Sequence, residues 1–386
     1  MKIAFISGAF FPTAGGAQVQ NHNIANKLVE KGIDIELFIF NKTNIKNNKY
    51  NITIFNKFLL NTVYFFKYFF NLDFSFLLKS YIFSLIKKFK FDIWHFSFLN
   101  FKSLILINIL KKYDQKIIVS FHGADIQIDR SINYGYRISK KYDVFLKNTL
   151  NKIDKFTYIS ETIKNDVLEL GVNEKKLEYF PNSINLDKFK DCKENANVDE
   201  TILRLITVAR FAEKKKGLDL VEKISQMMLK KNINFRWKII GENSKLLLKN
   251  SFINTNKDYF DIVDNIQNKD EDYFPHSNLI KHYKSSDLYI NLSRIESFGV
   301  TYIESIAAKV PIISFNSKGT NEIVKDNVNG FLIDKDDILN FVNKIFQINE
   351  NKNIIYNLKD KCINSILEFD LEKTSSRLIN IYKKLN

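Results

Sequence analysis

The sequence predicts an α/β protein built from two doubly wound, Rossmann-like domains in series. Three observations predict it. Short β-branched or aromatic runs alternate with helical patterns, as in a parallel sheet covered by helices on both faces. The alternation pauses once, in the polar stretch 182–200, and then restarts. The 386 residues, 45% of them apolar, suit two domains of ordinary size with substantial cores.

In chain order, 2–7 (KIAFIS) reads as the first strand. Val19, Ile24, Ala25, Leu28 and Val29 then mark one helical face, with Gly32 at the helix end. Strands follow at 34–40, 92–96, 116–121, 156–160 and 177–180, and after the pause at 203–210, 235–241, 287–293, 311–315 and 330–334. Helices are expected near 217–231, 279–285 and 300–309. The expected domains are 1–185 and 201–365, with a C-terminal helix in 366–386 packing back on the first domain. The stretch 245–274 is hard to place. Ligands of such sheets bind beyond the carboxyl ends of the strands, so the expected active site is a cleft between the two domains.

Composition narrows the function classes. The 58 basic residues against 43 acidic ones give a formal charge of +15. That balance favours anionic partners, or it is a solvated lysine-rich surface. Cys192 and Cys362 lie far apart and fit a reducing cytoplasm better than a disulfide framework. The five histidines have no metal-ligand spacing. The opening MKIAFISGAFF reads as a strand and not a signal peptide, because glycine-rich turn chemistry follows at once. The most apolar region, 58–91, is interrupted by Lys67, Asp73 and Lys79, so no span of about 18 apolar residues survives. It reads as aromatic, basic amphipathic helices. These pack on a sheet or lie on an anionic membrane surface, with Lys67, Lys79, Lys87, Lys88 and Lys90 reaching headgroups. Core packing is expected to account for most of its phenylalanines, with membrane contact for the excess.

Five motifs carry chemistry. In SRIESFGVTYIES, 293–305, Glu296 falls in a loop after a strand and Glu304 in the early turns of the next helix. Two carboxylates at a strand end suit polyol recognition, since each accepts hydrogen bonds from neighbouring hydroxyls. The helix N-terminus near Ser297, Phe298 and Gly299 adds an anion site. Taken alone, the pair also fits two ordinary surface glutamates. In RFAEKKKG, Arg210 and a following lysine offer a fork and a point charge to a diphosphate; alone, this stretch reads as a solvated basic turn. Gly15 and Gly16, between a strand and a helix, let backbone amides approach a phosphate, or make a plain tight turn. They are not GxGxxG, so a nicotinamide cofactor is not supported. His122, in VSFHGAD, stands at a strand end, where a lone histidine is more often structural. Segment 180–189 (FPNSINLDKF) reads as hinge structure, with Ser183 where a positive φ would favour glycine.

The run SRIESFGVTYIESIAAKVPIISFNSKGTNEIVKDNVNGFLID resembles the retaining GT-B glycosyltransferases, specifically glycosyltransferase family 4, whose hallmark is Glu-x7-Glu with Phe-Gly after the first Glu. The resemblance implies that Glu296 contacts the hydroxyls of the donor sugar and Glu304 those of the ribose. It matches Arg210 and Lys216 to the family's Arg and Lys-Gly, with Lys215 as the alternative because the spacing is one residue longer. Gly16 is matched to the loop that closes over the donor phosphates, with Gly15 shaping the turn. It makes His122 an active-site residue facing the sugar, and leaves Asp125 as an acceptor contact or a helix cap. Lys309 departs from the family, which has Gly there before Pro; the helix end should feel this more than the chemistry.

The implied activity is retaining, metal-independent transfer from a nucleotide-diphosphate sugar, a co-substrate, to an acceptor hydroxyl, with no cofactor. The implied acceptor is a glycan or a lipid-linked glycan in bacterial cell-surface polysaccharide or lipopolysaccharide synthesis. The expected location is cytoplasmic, peripheral on the inner face of the membrane, and no nucleic-acid partner is expected. The rival readings are a non-catalytic sugar-nucleotide-binding scaffold, a nucleic-acid-binding protein, and a phosphorylase, which needs a pyridoxal-phosphate lysine that cannot be assigned.

Overall fold

The computed structural model describes residues 1–8, 10, 15–43, 45–192, 201–211, 214–264, 266 and 271–386. Residues 193–200 of the expected junction lie outside them. So does part of each of the Gly-Gly and RFAEKKKG loops. The chain forms two compact units. The first comprises Met1–Ser183, Asp272–Phe274 and Leu371–Asn386, and the second Ile184–Glu271 and Pro275–Asp370.

The first unit holds a seven-stranded sheet of β1 (Lys2–Ser7), β2 (Asp34–Ile39), β3 (Asn51–Ile54), β4 (Ile93–Phe96), β5 (Ile117–Phe121), β6 (Lys155–Tyr158) and β7 (Leu177–Tyr179). Its spatial order is β3-β2-β1-β4-β5-β6-β7 and its pairings are parallel. The order reverses between β1 and β4, which opens a crevice at their carboxyl ends. Ile3, Phe5, Leu37, Ile93 and Ile118 of this sheet pack with Ile24, Ala25 and Leu28 of helix Gly16–Glu30. Leu371, Leu378 and Tyr382 of the C-terminal helix Leu371–Leu385 join the same core.

Helix Gly16–Glu30 buries more than its apolar stripe. Gln20, Asn21, His22, Asn23 and Asn26 are also buried, and their polar atoms are paired as burial requires. Asn23 exchanges hydrogen bonds with the Phe274 backbone at 2.8 and 2.9 Å, and Asn26 donates to the Asp272 carbonyl at 2.7 Å. These bonds are what attach 272–274 to the first unit.

The second unit holds a six-stranded sheet of β8 (Leu203–Val208), β9 (Phe235–Ile240), β10 (Phe260–Val263), β11 (Leu288–Asn291), β12 (Ile312–Phe315) and β13 (Gly330–Ile333). The order is β10-β9-β8-β11-β12-β13, again parallel, and it reverses between β8 and β11. The aromatic region 57–89 forms helices Lys57–Phe65, Phe66–Phe70 and Phe76–Phe89, the middle one a single wide turn. Among the described residues no helix is long and apolar enough to cross a membrane.

Two strands exceed expectation. β3 and β10 are four-residue edge strands in polar surroundings, and β10 lies in the stretch that could not be placed. Ser183 needs no positive φ: it is buried, and its N–H and hydroxyl donate to Gln20 Oε1 at 2.7 and 2.9 Å. Lys309 does adopt φ 59°. It follows helix Val300–Ala307, where its N–H bonds the Ile306 carbonyl and that of Val310 bonds Ser305, both at 2.9 Å. This turn favours glycine, and here lysine takes it under strain.

Candidate active site

Past β11 the chain runs through 292–299 into helix Val300–Ala307, and neighbouring loops hold it in place. Arg294 N–H donates to the Lys215 carbonyl at 2.7 Å, and Glu296 N–H to the Lys318 carbonyl at 3.2 Å. Gly217 and Gly319 approach it closely at φ of 65° and 84°. A Cβ would meet the Leu292 carbonyl oxygen at 1.9 Å from position 217 and the Glu296 carbonyl oxygen at 2.2 Å from position 319, so glycine is required at both. Arg294 also clamps the lysine-rich turn. Its guanidinium donates to both Asp219 oxygens, at 2.7 and 2.6 Å, and to the Lys214 carbonyl at 2.8 Å.

These contacts deliver Lys216 Nζ to Glu296 Oε1 at 2.7 Å. Glu296 is buried, which opposes its ionisation, but Lys216 and Lys215 outweigh burial and hold the carboxyl below its ordinary value. Glu304 is buried too, and accepts a hydrogen bond from the Tyr283 hydroxyl at 2.9 Å. Burial pushes its carboxyl up to about 7, against the opposing effect of that bond. Two glutamates eight residues apart therefore differ in how readily they ionise, because their surroundings differ. Neither is the ordinary surface glutamate that the spacing alone allowed.

Of the other sequence candidates in this unit, Arg210 is exposed two residues past β8 and Ser297 is half-buried. Gly299 stands at the N-cap of helix Val300–Ala307. Phe298 is buried with its ring 5.2 Å from Phe369, so its side chain is packing and it can offer a ligand only backbone. Behind the loop, the buried Tyr302 hydroxyl bonds Asn291 and lies 3.2 Å from Thr320 Oγ1. The set collects at the β8–β11 reversal, where a doubly wound sheet binds its ligands.

Gly15, Gly16 and His122 belong to the first unit. Gly15 is extended at φ −119°, a conformation open to any residue, and its N–H donates to Gln18 Oε1 at 2.9 Å. Gly16 opens the helix. At the β1–β4 reversal Asn21 bridges Ser7 and Ser97, at 3.0 and 2.8 Å. His122 follows β5 and lines a small pocket with Gln20, Asn21, Ser97, Ser120 and Asn182. Part of its surface is exposed, but the packing around the ring lowers its pKa to about 4. Asp125 is fully buried and caps the His122 loop, accepting N–H bonds from His122 at 3.2 Å and Gly123 at 2.8 Å. It acts on His122 through the backbone, and it caps a loop where a helix cap was one expectation.

Sequence reasoning missed several residues. His95 lies on β4, beside the strand that leads to His122, fully buried, with Nδ1 2.6 Å from the Tyr382 hydroxyl and Nε2 2.7 Å from Ser120 Oγ. Burial, with His122 nearby, lowers its pKa to about 3. Tyr283, Arg294 and Asp219 were also missed; no local pattern ties Tyr283 to Glu304 or Asp219 to Arg294. Among the described residues no group of three or more His, Cys, Asp or Glu is placed to hold a metal ion.

Comparisons with known proteins bear on the family and the fold. Residues 14–188 match the family model Glycosyltransferase Family 4, and residues 188–366 match Glycosyl transferases group 1. The chain is similar to N-acetyl-alpha-D-glucosaminyl L-malate synthase of Bacillus anthracis, 22% identical with 96% of this chain and 94% of the relative covered. It is 24% identical to UDP-Gal:alpha-D-GlcNAc-diphosphoundecaprenol alpha-1,3-galactosyltransferase of Escherichia coli over 56% of each chain. The fold matches that of HepE from Anabaena, solved in complex with UDP and glucose, at a TM-score of 0.76 and 13% identity over 100% of both chains. With two family models meeting at residue 188 and each lying on one Rossmann-like unit, the chain belongs to the GT-B glycosyltransferases of family 4.

Proposed function

We propose that the chain transfers a sugar from a nucleotide-diphosphate donor to an acceptor hydroxyl with retention at the anomeric carbon and without a metal ion. The observation that carries this reading is the Lys216–Glu296 pair at 2.7 Å, with Glu304 buried in the helix that follows. Glu296, held ionised, accepts hydrogen bonds from donor-sugar hydroxyls. Glu304 accepts those of the ribose. Arg210 and Lys216, with Lys215 beside it, stabilise the negative charge that grows on the departing diphosphate, the part a metal ion plays elsewhere. Ser297 and the backbone at Phe298 and Gly299 complete the donor contacts. Gly16, with Gly15, brings backbone amides to the donor phosphates, and His122 orients the sugar or the acceptor.

In the step itself, the bond from the anomeric carbon to the phosphate oxygen breaks. The acceptor oxygen bonds the same face, and its proton passes to the departing phosphate. No cofactor takes part. The acceptor is a glycan or lipid-linked glycan of bacterial cell-surface polysaccharide or lipopolysaccharide synthesis, a reading supported by the diphosphoundecaprenol in the name of the Escherichia coli relative. The test is incubation with UDP-, GDP- and ADP-sugars and lipid-linked acceptors, with and without EDTA, and NMR of the product anomer. A product of the donor's own anomeric configuration, formed equally in EDTA, is expected. An inverted product or loss of activity in EDTA would overturn the corresponding part. Nucleotide binding without turnover across all pairs would favour a scaffold.

A further inference from the structure

The helices of residues 57–89 carry a face that the first unit leaves unburied. In Lys57–Phe65, Leu60 and Val63 are buried, while Phe58 and Phe65, seven residues apart, stand on the opposite side. In Phe76–Phe89, Leu78, Ile82 and Leu85 are buried, while Phe76, Phe83 and Lys87 share the outer side. The connection between them exposes Phe69 at 54%, Phe70 at 59% and Leu72 at 50%. The rings form one surface: Phe65 lies 5.2 Å from Phe69 and 5.6 Å from Phe70. Phe66, Phe74 and Phe76 continue it at 4.3 and 5.8 Å. The connection is held in place, since Lys141 Nζ donates to the Tyr68 carbonyl at 2.9 Å. A scattered exposed phenylalanine is ordinary, but a contiguous apolar patch marks an interaction surface.

Charge selects the partner. Between residues 57 and 90 the sequence has lysines 57, 67, 79, 87, 88 and 90 against one acid, Asp73. Lys57, Lys87, Lys88 and Lys90 are exposed, and Lys87 Nζ lies 4.5 Å above the Phe83 ring. Protein–protein interfaces are depleted in lysine, and a second copy of this face would set lysines against lysines. Aromatic rings bordered by lysines instead match the layered chemistry of a bilayer surface, with apolar chains beneath anionic headgroups.

We propose that this face docks on an anionic lipid bilayer, with Phe65, Phe69, Phe70 and Phe76 entering the boundary of headgroups and acyl chains and the lysines meeting lipid phosphates. The docking does not depend on the transfer reaction. The test is flotation of the full chain with phosphatidylcholine vesicles, with and without phosphatidylglycerol, over a salt series. The wild type should float with the anionic vesicles at low salt and be released by salt. Combined Phe65→Ser, Phe69→Ser and Phe70→Ser should weaken binding by at least about tenfold, with the melting temperature unchanged. Lys87→Glu with Lys88→Glu should weaken it while removing much of its salt dependence. Three results would overturn the proposal: no binding of the wild type to anionic vesicles, equal binding by the phenylalanine variant, or a dimer in solution that this variant dissolves.

Discussion

The two units place polar side chains at the same point of the sheet by opposite means. In the second, Lys216 meets Glu296 at 2.7 Å, and the facing lysines hold the Glu296 carboxyl below its ordinary value despite burial. In the first, Asn21 bridges Ser7 and Ser97, and His95 bonds Tyr382 and Ser120. Burial keeps both His95 and His122 neutral at ordinary pH. The contrast teaches where charge is needed. On the function proposed above, the charged site suits the negative charge that grows on a departing diphosphate, and the neutral site suits an acceptor hydroxyl.

Removing the charge on one side should have the largest effect. Glu296→Gln keeps the shape but leaves Lys216 unbalanced, and kcat should fall on the order of 10²–10³-fold while the fold survives; steady-state transfer and circular dichroism check both. Breaking the neutral side should act on stability. His95→Leu strands the Tyr382 hydroxyl in the core, at a cost of about 1–3 kcal/mol in denaturant titration.

Glu304 gives a test with a sign. Its folded pKa of about 7 lies above the ordinary 4.5, so the folded state binds the proton more tightly than the unfolded state. The contribution is favourable below pH 4.5 and is lost as pH rises through about 7. Glu304→Gln keeps an acceptor for Tyr283 and removes that loss, so the variant should gain about 1–3 kcal/mol over the wild type at pH 8 and little at pH 4. The smallest effect should come from Lys309→Gly, which relieves the positive φ and should add about 1 kcal/mol by thermal melting without altering transfer.

The sequence showed the parallel alternation and the Glu296–Glu304 spacing because both are local: period, glycine and strand length are written along the chain. It did not show β3 or β10, edge strands whose apolar residues are interrupted by Thr53 and Asp261 and set among polar flanks. The buried face of Gln20, Asn21, His22, Asn23 and Asn26 looks solvated in sequence, because its partners are distant: Ser183 for Gln20, Ser97 for Asn21, and 272–274 for His22, Asn23 and Asn26. Arg294 and Asp219, 75 apart, were hidden for the same reason. Composition could not separate buried Phe55 and Phe91 from exposed Phe69 and Phe70. Core packing does not account for most phenylalanines of 58–91: Phe91 is buried, while Phe58, Phe65, Phe69, Phe70, Phe76 and Phe83 are exposed, because the helices turn those rings away from the sheet.

The central claim is that Glu304 holds the ribose and Lys216, with Arg210, the phosphates of a nucleotide diphosphate. Calorimetric titration of UDP, GDP and ADP into the full chain between pH 5.5 and 8.5 tests it most directly. One nucleotide should bind, and its affinity should rise with pH through about 7 as Glu304 ionises to accept the ribose hydroxyls. That rise should be absent in Glu304→Gln. Binding by none of them, or a wild-type pH profile matching that of the variant, would contradict the account.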